Sequence, residues 1–168
     1  LHGGTTSIID FAIQTQGSPL RDCMAQWHEK AGGKAVGDYA FHCAVTDFNP
    51  EVAKEIPGLI ENGVTSFKTF MAYKGALMID DRMMLNLMEN VKKHGGIVTV
   101  HAEHGDIIDT LVEKYKREGS LSPKYHALAH PAHAEAEAAS RAMDLAHQTS
   151  SALYLVHTSC KQALERVG

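Results

Sequence analysis

Residues 65–101 read TSFKTFMAYKGALMIDDRMMLNLMENVKKHGGIVTVH. The segment begins with one run of β-branched and aromatic residues, Thr65–Met71, and ends with a second, Ile97–His101. Both runs are apolar on both faces, which is typical of strands in a buried parallel sheet. Between them, Asp80 can cap a helix over Asp81–His94, which ends at a pair of glycines. The stretch therefore predicts one strand–helix–strand unit with parallel strands.

The same strand-like pattern occurs five times along the chain, with helical sequence between the runs. The runs start roughly one strand–helix unit apart. The last interval is longer and holds two predicted helices, near residues 104–118 and 131–148. The five predicted strands are Thr6–Phe11, Tyr39–Val45, Thr65–Met71, Ile97–His101 and Ala152–His157.

This alternation is typical of the α/β class, in which helices pack outside a parallel sheet. Five consecutive units fit either an open doubly wound sheet or part of a TIM-like (β/α)8 barrel. No G-x-G-x-x-G or G-x-x-x-x-G-K-[ST] motif follows any predicted strand, which weakens the nucleotide-binding version of the open sheet. The pattern therefore favours the barrel.

Helix boundaries are marked between the predicted strands. Ser18 and Asn49 each precede a proline, which is the arrangement of an N-cap followed by proline at the first helical position. The second of these helices is predicted to end at Asn62, before a glycine. Ser159 and Gln162 have capping-box spacing ahead of the last helix.

Composition and charge exclude several classes of partner. Sixteen Lys and Arg residues against twenty Asp and Glu residues give a formal net charge of −4. Nucleic-acid and anionic-membrane surfaces need clustered positive charge, so neither partner is expected. No apolar run approaches the ~20 residues of a membrane span, and the first residues do not form a signal-peptide pattern. Three widely spaced cysteines without a C-x-x-C motif favour a cytoplasmic location.

Three residues capable of metal chemistry lie at the ends of consecutive predicted strands. Lys68 lies near the end of the third strand, and His101 and His157 end the fourth and fifth. In parallel α/β folds these ends meet at one edge, where active sites form. Each residue also has an ordinary explanation: a hydrogen-bonded histidine, or a lysine reaching solvent from an edge strand. From the residues alone, a metal site and its absence remain equally supported.

Lys68 is the unusual member of this set, because burying an ammonium group without a partner costs several kcal/mol. Burial also lowers the pKa of a lysine. A neutral amine can add carbon dioxide to become a carbamate, and such a carboxylate could bridge two divalent ions about 3.5–4 Å apart. Neutral imidazole is a natural companion ligand for zinc.

Three stretches resemble D-hydantoinases and dihydropyrimidinases of the amidohydrolase superfamily. They are GVTSFKTFMAYKGALMIDD (63–81), VTVHAEHGDII (98–108) and HPAHAEAEAASRAMDLAHQTSSALYLVHTSC (130–160). The opening GGTTSIIDF (3–11) resembles the second barrel strand of the family. The resemblance covers essentially the whole chain. It implies a partial catalytic barrel domain over residues 1–168, roughly strands 2 to 6 with their helices.

The resemblance also implies roles for individual residues. Lys68 would be a carboxylated lysine that bridges two zinc ions, and His101 and His157 would bind the more exposed ion. Tyr73 matches the family tyrosine that hydrogen-bonds the oxygen of the tetrahedral intermediate. Its ordinary alternative is a loop aromatic that packs on neighbouring methionines.

The implied reaction is hydrolysis of a hydantoin or dihydropyrimidine ring to an N-carbamoyl amino acid. The implied partners are a small cyclic amide and, as in most relatives, further copies of the chain in a homotetramer. The family also has an H-x-H motif on its first strand and an aspartate on its last, and neither occurs here. We therefore expect the chain to be part of a longer enzyme and, alone, to hold at most one weak metal site without useful turnover.

Three alternatives remain at this point. The first is a non-catalytic dihydropyrimidinase-related scaffold protein, a group that has generally lost the metal ligands. The second is another enzyme of the superfamily, such as an allantoinase or dihydroorotase, where Lys68 would serve equally well. The third is a plain strand–helix domain with incidental histidines. The sequence does not specify the preferred ring, its stereochemistry or the native metal.

Overall fold

A single parallel sheet organises the chain in the computed structural model, which describes all residues 1–168. Its five strands are hydrogen-bonded in the order in which they occur along the chain, β1-β2-β3-β4-β5, and every neighbouring pair is parallel. The strands are β1 (Ser7–Ile13), β2 (Asp38–Ala44), β3 (Ser66–Phe70), β4 (Ile97–His101) and β5 (Leu153–Leu155).

The strand order distinguishes the two architectures that the sequence left open. A doubly wound sheet reverses its strand order at a switch point, whereas a barrel adds each new strand on the same side of the last. Here every strand is added on the same side, as in a barrel wall. The predicted α/β class and partial barrel are therefore confirmed. The wall is not closed, because β1 and β5 each have only one neighbouring strand.

Eight helices connect the strands. The segment before the last strand contains both helices that the sequence predicts there. It also contains a short helix, α6, which lies between those two and was not predicted. Helix α6 follows Pro123 and has only six residues, too few to produce a helical hydrophobic period. The helices are α1 (Leu20–Ala31), α2 (Pro50–Ala53), α3 (Ile56–Glu61), α4 (Asp81–Lys93), α5 (Gly105–Arg117), α6 (Lys124–Ala129), α7 (Ala132–Thr149) and α8 (Lys161–Val167).

Two of the predicted helix caps are present. The Asp80 carboxylate accepts a hydrogen bond from the Met83 amide at 2.7 Å, at the start of α4. The Asn49 side chain accepts from two amides at the start of α2. The helix after Asn49 is divided into α2 and α3, because Pro57 has no N–H to donate to the carbonyl of Ala53.

The other two predicted caps are wrong. Helix α1 begins after Pro19, and no side chain, including that of Ser18, caps it. At α8 the N-cap is Cys160, whose sulfur accepts a hydrogen bond from the Ala163 amide at 3.3 Å. Ser159 instead donates from its backbone amide and its hydroxyl to the carboxylate of Glu135.

The hydrophobic core lies between one face of the sheet and the helices. Alternate strand residues point to this side. They include Phe67, Val98 and Val100, which are fully buried in one cluster with Leu87 and Met88 of α4.

No helix combines the length and the apolar composition needed to cross a membrane.

The opposite face of the sheet carries Lys68, the lysine that the sequence analysis singled out. Ala44, Lys68, Thr99 and Tyr154 lie side by side across β2, β3, β4 and β5. Because strand residues alternate between faces, this row points away from the helix-packed core, to the inside of the barrel wall.

Replacing a core leucine tests this packing. Leu87→Ala should lower the free energy of unfolding by about 2–5 kcal/mol, because Leu87 is fully buried and its removal leaves a cavity. The matched control is Leu121→Ala, where the side chain is 75% exposed and the expected change is within about 0.5 kcal/mol. Urea unfolding followed by circular dichroism measures both. Equal losses from the two substitutions would contradict the assignment of the core.

Candidate metal centre at the ends of strands β3 to β5

Two histidines meet at the carboxyl-terminal edge of the sheet. His101 is the last residue of β4, and His157 lies two residues after the end of β5. The Nδ1 atom of His101 lies 3.0 Å from the Nε2 atom of His157. Strand β5 is shorter than predicted because the chain turns after it, and His157 adopts a left-handed conformation with φ 37°. This turn, rather than a continued strand, directs the His157 ring toward His101.

Lys68 is buried in the middle of β3. Its side chain is on the inner face, the residue is 3% exposed, and its Nζ atom has no hydrogen-bond partner. The alternative of a lysine reaching solvent from an edge strand does not apply, because β3 is paired on both sides. Burial lowers the pKa of Lys68 from 10.5 to about 7. Near neutral pH, a large fraction of this lysine is therefore an uncharged amine.

The ring of Phe70 lies close to both Lys68 and His101. Phe70 lies two residues beyond Lys68 on the same strand face and pairs in register with His101. Its ring centre is 4.5 Å from the Lys68 Nζ atom and 5.8 Å from the centre of the His101 ring. Burial lowers the pKa of His157, and the nearby charges of His101 and Lys68 lower it further. The charge of Lys68 therefore acts on His157, and the Phe70 ring lies near both Lys68 and His101.

Tyr73 lies in the loop that follows β3. Its backbone is left-handed, with φ 68°, a conformation that is uncommon for a residue with a bulky side chain. Three successive amides, from Ala76 to Met78, donate to its carbonyl oxygen and hold this turn. The Tyr73 ring centre lies 5.0 Å from that of His101, and the residue is 44% exposed. Burial and the nearby Glu103 carboxylate raise the pKa of Tyr73, so its phenol keeps its proton.

Sequence reasoning missed Glu103, which contacts the site directly. Its Oε2 atom accepts a hydrogen bond from Nε2 of His101 at 2.8 Å. This hydrogen bond lowers the pKa of the Glu103 carboxyl group and keeps it ionised. The available signal was its spacing, because two residues apart on an extended chain places Glu103 on the same side as His101.

Sequence reasoning also missed Glu135, which holds the loop around His157. The Glu135 carboxylate lies on α7 and accepts hydrogen bonds from the backbone amides of Ser159, at 2.6 Å, and Cys160, at 3.3 Å. It also accepts from the Ser159 hydroxyl. With the two histidines and Glu103, Glu135 lines a cavity of about 110 Å³. Nothing in the local sequence pairs a helix residue with a loop 24 residues later.

The donor atoms fit a metal only if Lys68 is modified. No group of three or more His, Cys, Asp or Glu side chains in the chain is arranged to hold a metal ion. An ammonium group cannot be a ligand, but a carbamate formed on a neutral amine is a carboxylate. Together with two imidazoles, it would form an oxygen and nitrogen donor set that suits zinc. The unpaired, buried Nζ of Lys68 is consistent with that modification.

Comparison with known proteins gives the family. No family model matches the chain. The D-hydantoinase of Geobacillus stearothermophilus is 46% identical over 166 residues, which are 98% of this chain and 35% of that protein. The chain belongs to the D-hydantoinase and dihydropyrimidinase family. The predicted resemblance is thereby confirmed.

Other members of the family match in sequence and in fold. The dihydropyrimidinase of Rattus norvegicus is 42% identical over 164 residues, which are 97% of this chain and 32% of that protein. The crystal structure of dihydropyrimidinase from Brevibacillus agri superposes with a TM-score of 0.96 at 46% identity, covering 98% of this chain and 36% of that one. The chain thus spans about a third of the length of the relatives that it matches.

The pH dependence of stability tests the burial of Lys68. In the unfolded chain Lys68 binds its proton with a pKa near 10.5, whereas in the folded chain the pKa is about 7. Between these values the unfolded state holds more protons, so this residue makes stability rise with pH. Lys68→Met should therefore stabilise the metal-free chain by on the order of a few kcal/mol below pH 7, and the gain should shrink toward pH 10.5.

Urea unfolding in carbonate-free buffer at pH 6, 8 and 10 measures this difference. The matched control is Lys34→Met, because Lys34 is exposed and its replacement should shift stability little at any of these pH values. A Lys68→Met variant that is no more stable than the wild type at pH 6 would contradict the buried, unpaired state of Lys68.

Proposed function

We propose that this chain forms part of the catalytic barrel of a metal-dependent hydrolase that opens hydantoin or dihydropyrimidine rings. Hydrolysis adds water across one ring amide bond: the carbonyl carbon gains a hydroxyl group, the C–N bond breaks, and the nitrogen gains a proton. The product is an N-carbamoyl amino acid. The observation that carries the proposal is the buried, unpaired Lys68 on the same sheet face as His101, whose Nδ1 converges with Nε2 of His157.

The first step of the proposal is modification of Lys68. The neutral amine forms a new N–C bond with carbon dioxide and releases one proton to solvent, which leaves a carbamate. This carboxylate, with His101 and His157, would hold zinc, and the carbamate would bridge a pair of ions. When bound, two zinc ions supply Lewis-acid polarisation of the ring carbonyl and lower the pKa of water.

Tyr73 would act on the substrate itself. Its phenol is protonated near neutral pH and can therefore donate a hydrogen bond. The negative charge that develops on the carbonyl oxygen during attack is the acceptor that such a donor stabilises. The left-handed turn at Tyr73 places the ring beside His101, on the side where substrate would meet the metal ligands.

The three proposed ligands are only part of a two-metal site. The H-x-H motif and the aspartate that the family resemblance implies are not among the 168 residues. We therefore propose that this chain by itself holds at most one weak site, and that efficient turnover needs the remaining ligands. The cytoplasmic location and the homotetramer stay predictions.

The hydantoin or dihydropyrimidine hydrolase is favoured over two alternatives, a scaffold protein and an allantoinase. A scaffold protein on this fold has no need of a buried lysine and converging histidines, yet Lys68 is buried here and the His101 and His157 rings converge. An allantoinase would use the same lysine. The relatives compared above are named D-hydantoinase and dihydropyrimidinase, which favours a hydantoin or dihydropyrimidine ring over allantoin.

Replacing Lys68 tests the metal centre. Wild-type protein expressed with zinc and carbon-13 bicarbonate should contain bound zinc and a carbamate carbon signal. Lys68→Ala should lose both, because Lys68 is the one buried lysine of the chain and its carbamate is a proposed zinc ligand. The control, Lys34→Ala, should keep both. Elemental mass spectrometry and carbon-13 NMR provide the readouts. Zinc content that survives the loss of Lys68 would refute the carboxylated-lysine centre.

Replacing Tyr73 tests the chemical step in a protein with a complete metal site. Tyr73→Phe should lower kcat for ring opening of hydantoin or dihydrouracil by about 10²–10³-fold, the usual loss for one oxyanion donor. Zinc content should not change. The matched control is Tyr39→Phe, since Tyr39 lies near the amino-terminal end of β2, at the opposite edge of the sheet. Unchanged kcat in Tyr73→Phe would rule out the proposed role.

A further inference from the structure

The two ring nitrogens of His101 have different neighbours. Nδ1 faces Nε2 of His157 at 3.0 Å, while Nε2 faces Oε2 of Glu103 at 2.8 Å. The side chains of His101 and Glu103 are only 9% and 17% exposed, so water competes little for the bond between them. Nδ1 of His101 thus faces the other histidine, and Nε2 of His101 forms a hydrogen bond with a carboxylate.

The partner of Nε2 determines where His101 carries its proton. An ionised carboxylate has no hydrogen to donate, so the hydrogen between Glu103 and His101 must be on Nε2. A neutral imidazole has only one N–H, so Nδ1 carries a lone pair, which accepts a hydrogen bond from Nε2 of His157 in the metal-free chain. That lone pair points to the side on which the His101 and His157 rings converge.

We infer that Glu103 is a positioning residue, which sets the tautomer and ring orientation of His101 so that Nδ1 is the nitrogen offered to a metal ion. The inference rests on the metal centre proposed above. Glu103 is not itself a ligand in this arrangement, because its carboxylate lies beside Nε2, away from the nitrogen that faces His157. Partners of this kind typically change metal affinity by 10–100-fold when removed.

The tautomer can be measured without any metal. In the metal-free full chain labelled with nitrogen-15 histidine, long-range nitrogen–proton NMR should show His101 protonated on Nε2. His101→Gln identifies the His101 signals. In Glu103→Leu, which removes the acceptor, the fraction of the Nε2–H form should fall. A wild-type His101 that carries its proton on Nδ1 would overturn the inference.

Zinc titration of the full chain supplies the second readout. Glu103→Leu should bind zinc about 10–100-fold more weakly than the wild type. Glu103→Gln should lie between them, because its amide oxygen still accepts the hydrogen bond but without charge. The controls are Glu113→Leu and Glu113→Gln, since Glu113 is exposed on α5 and should not affect zinc affinity.

The outcomes separate this inference from the proposed function. Wild-type affinity in both Glu103 variants would overturn the positioning role while leaving the metal centre intact. If Glu103→Leu fails to fold, Glu103→Gln decides by the same comparison. No zinc binding by the wild type would contradict the proposed metal centre, and the histidine tautomer would then still decide the role of Glu103.

Discussion

Lys68 loses its hydration when the sheet forms, and no hydrogen-bond acceptor replaces that water around its Nζ atom. Because β3 has a strand on each side, the lysine cannot bend around an edge to reach solvent. Folding consequently favours the neutral amine, with a pKa of about 7. This is the form that reacts with carbon dioxide. The burial that destabilises the unmodified chain therefore also supplies the neutral amine that the proposed metal centre requires.

Much of the fold could be predicted from local sequence. Each of the five strands is a short apolar run with helical sequence on either side, and strand-forming residues and helix caps such as Asp80 act over a few positions. Parallel pairing then follows from the crossover helices. The position of His101 at the end of β4, one strand on from Lys68, followed from the same alternation, because a parallel sheet gathers one end of every strand at one edge.

The missed features depend on contacts between distant parts of the chain. Ser159 has the local spacing of a helix cap, but the Glu135 carboxylate takes both of its donors, so Cys160 caps α8 instead. The turn at His157 likewise depends on a loop held from α7. Glu103 could have been noticed by its spacing from His101, yet spacing does not show which nitrogen of a ring a carboxylate will contact.

The three proposed ligand residues come from separate strand–helix units. His101 and His157 are 56 residues apart in sequence, although their nitrogens are 3.0 Å apart in space. The proposed zinc site draws on all three units, so it can form only after the units have packed together. Metal binding and folding are coupled in such a case. Zinc uptake would then report on the long-range order of the whole sheet, including substitutions in the core that never touch the ion.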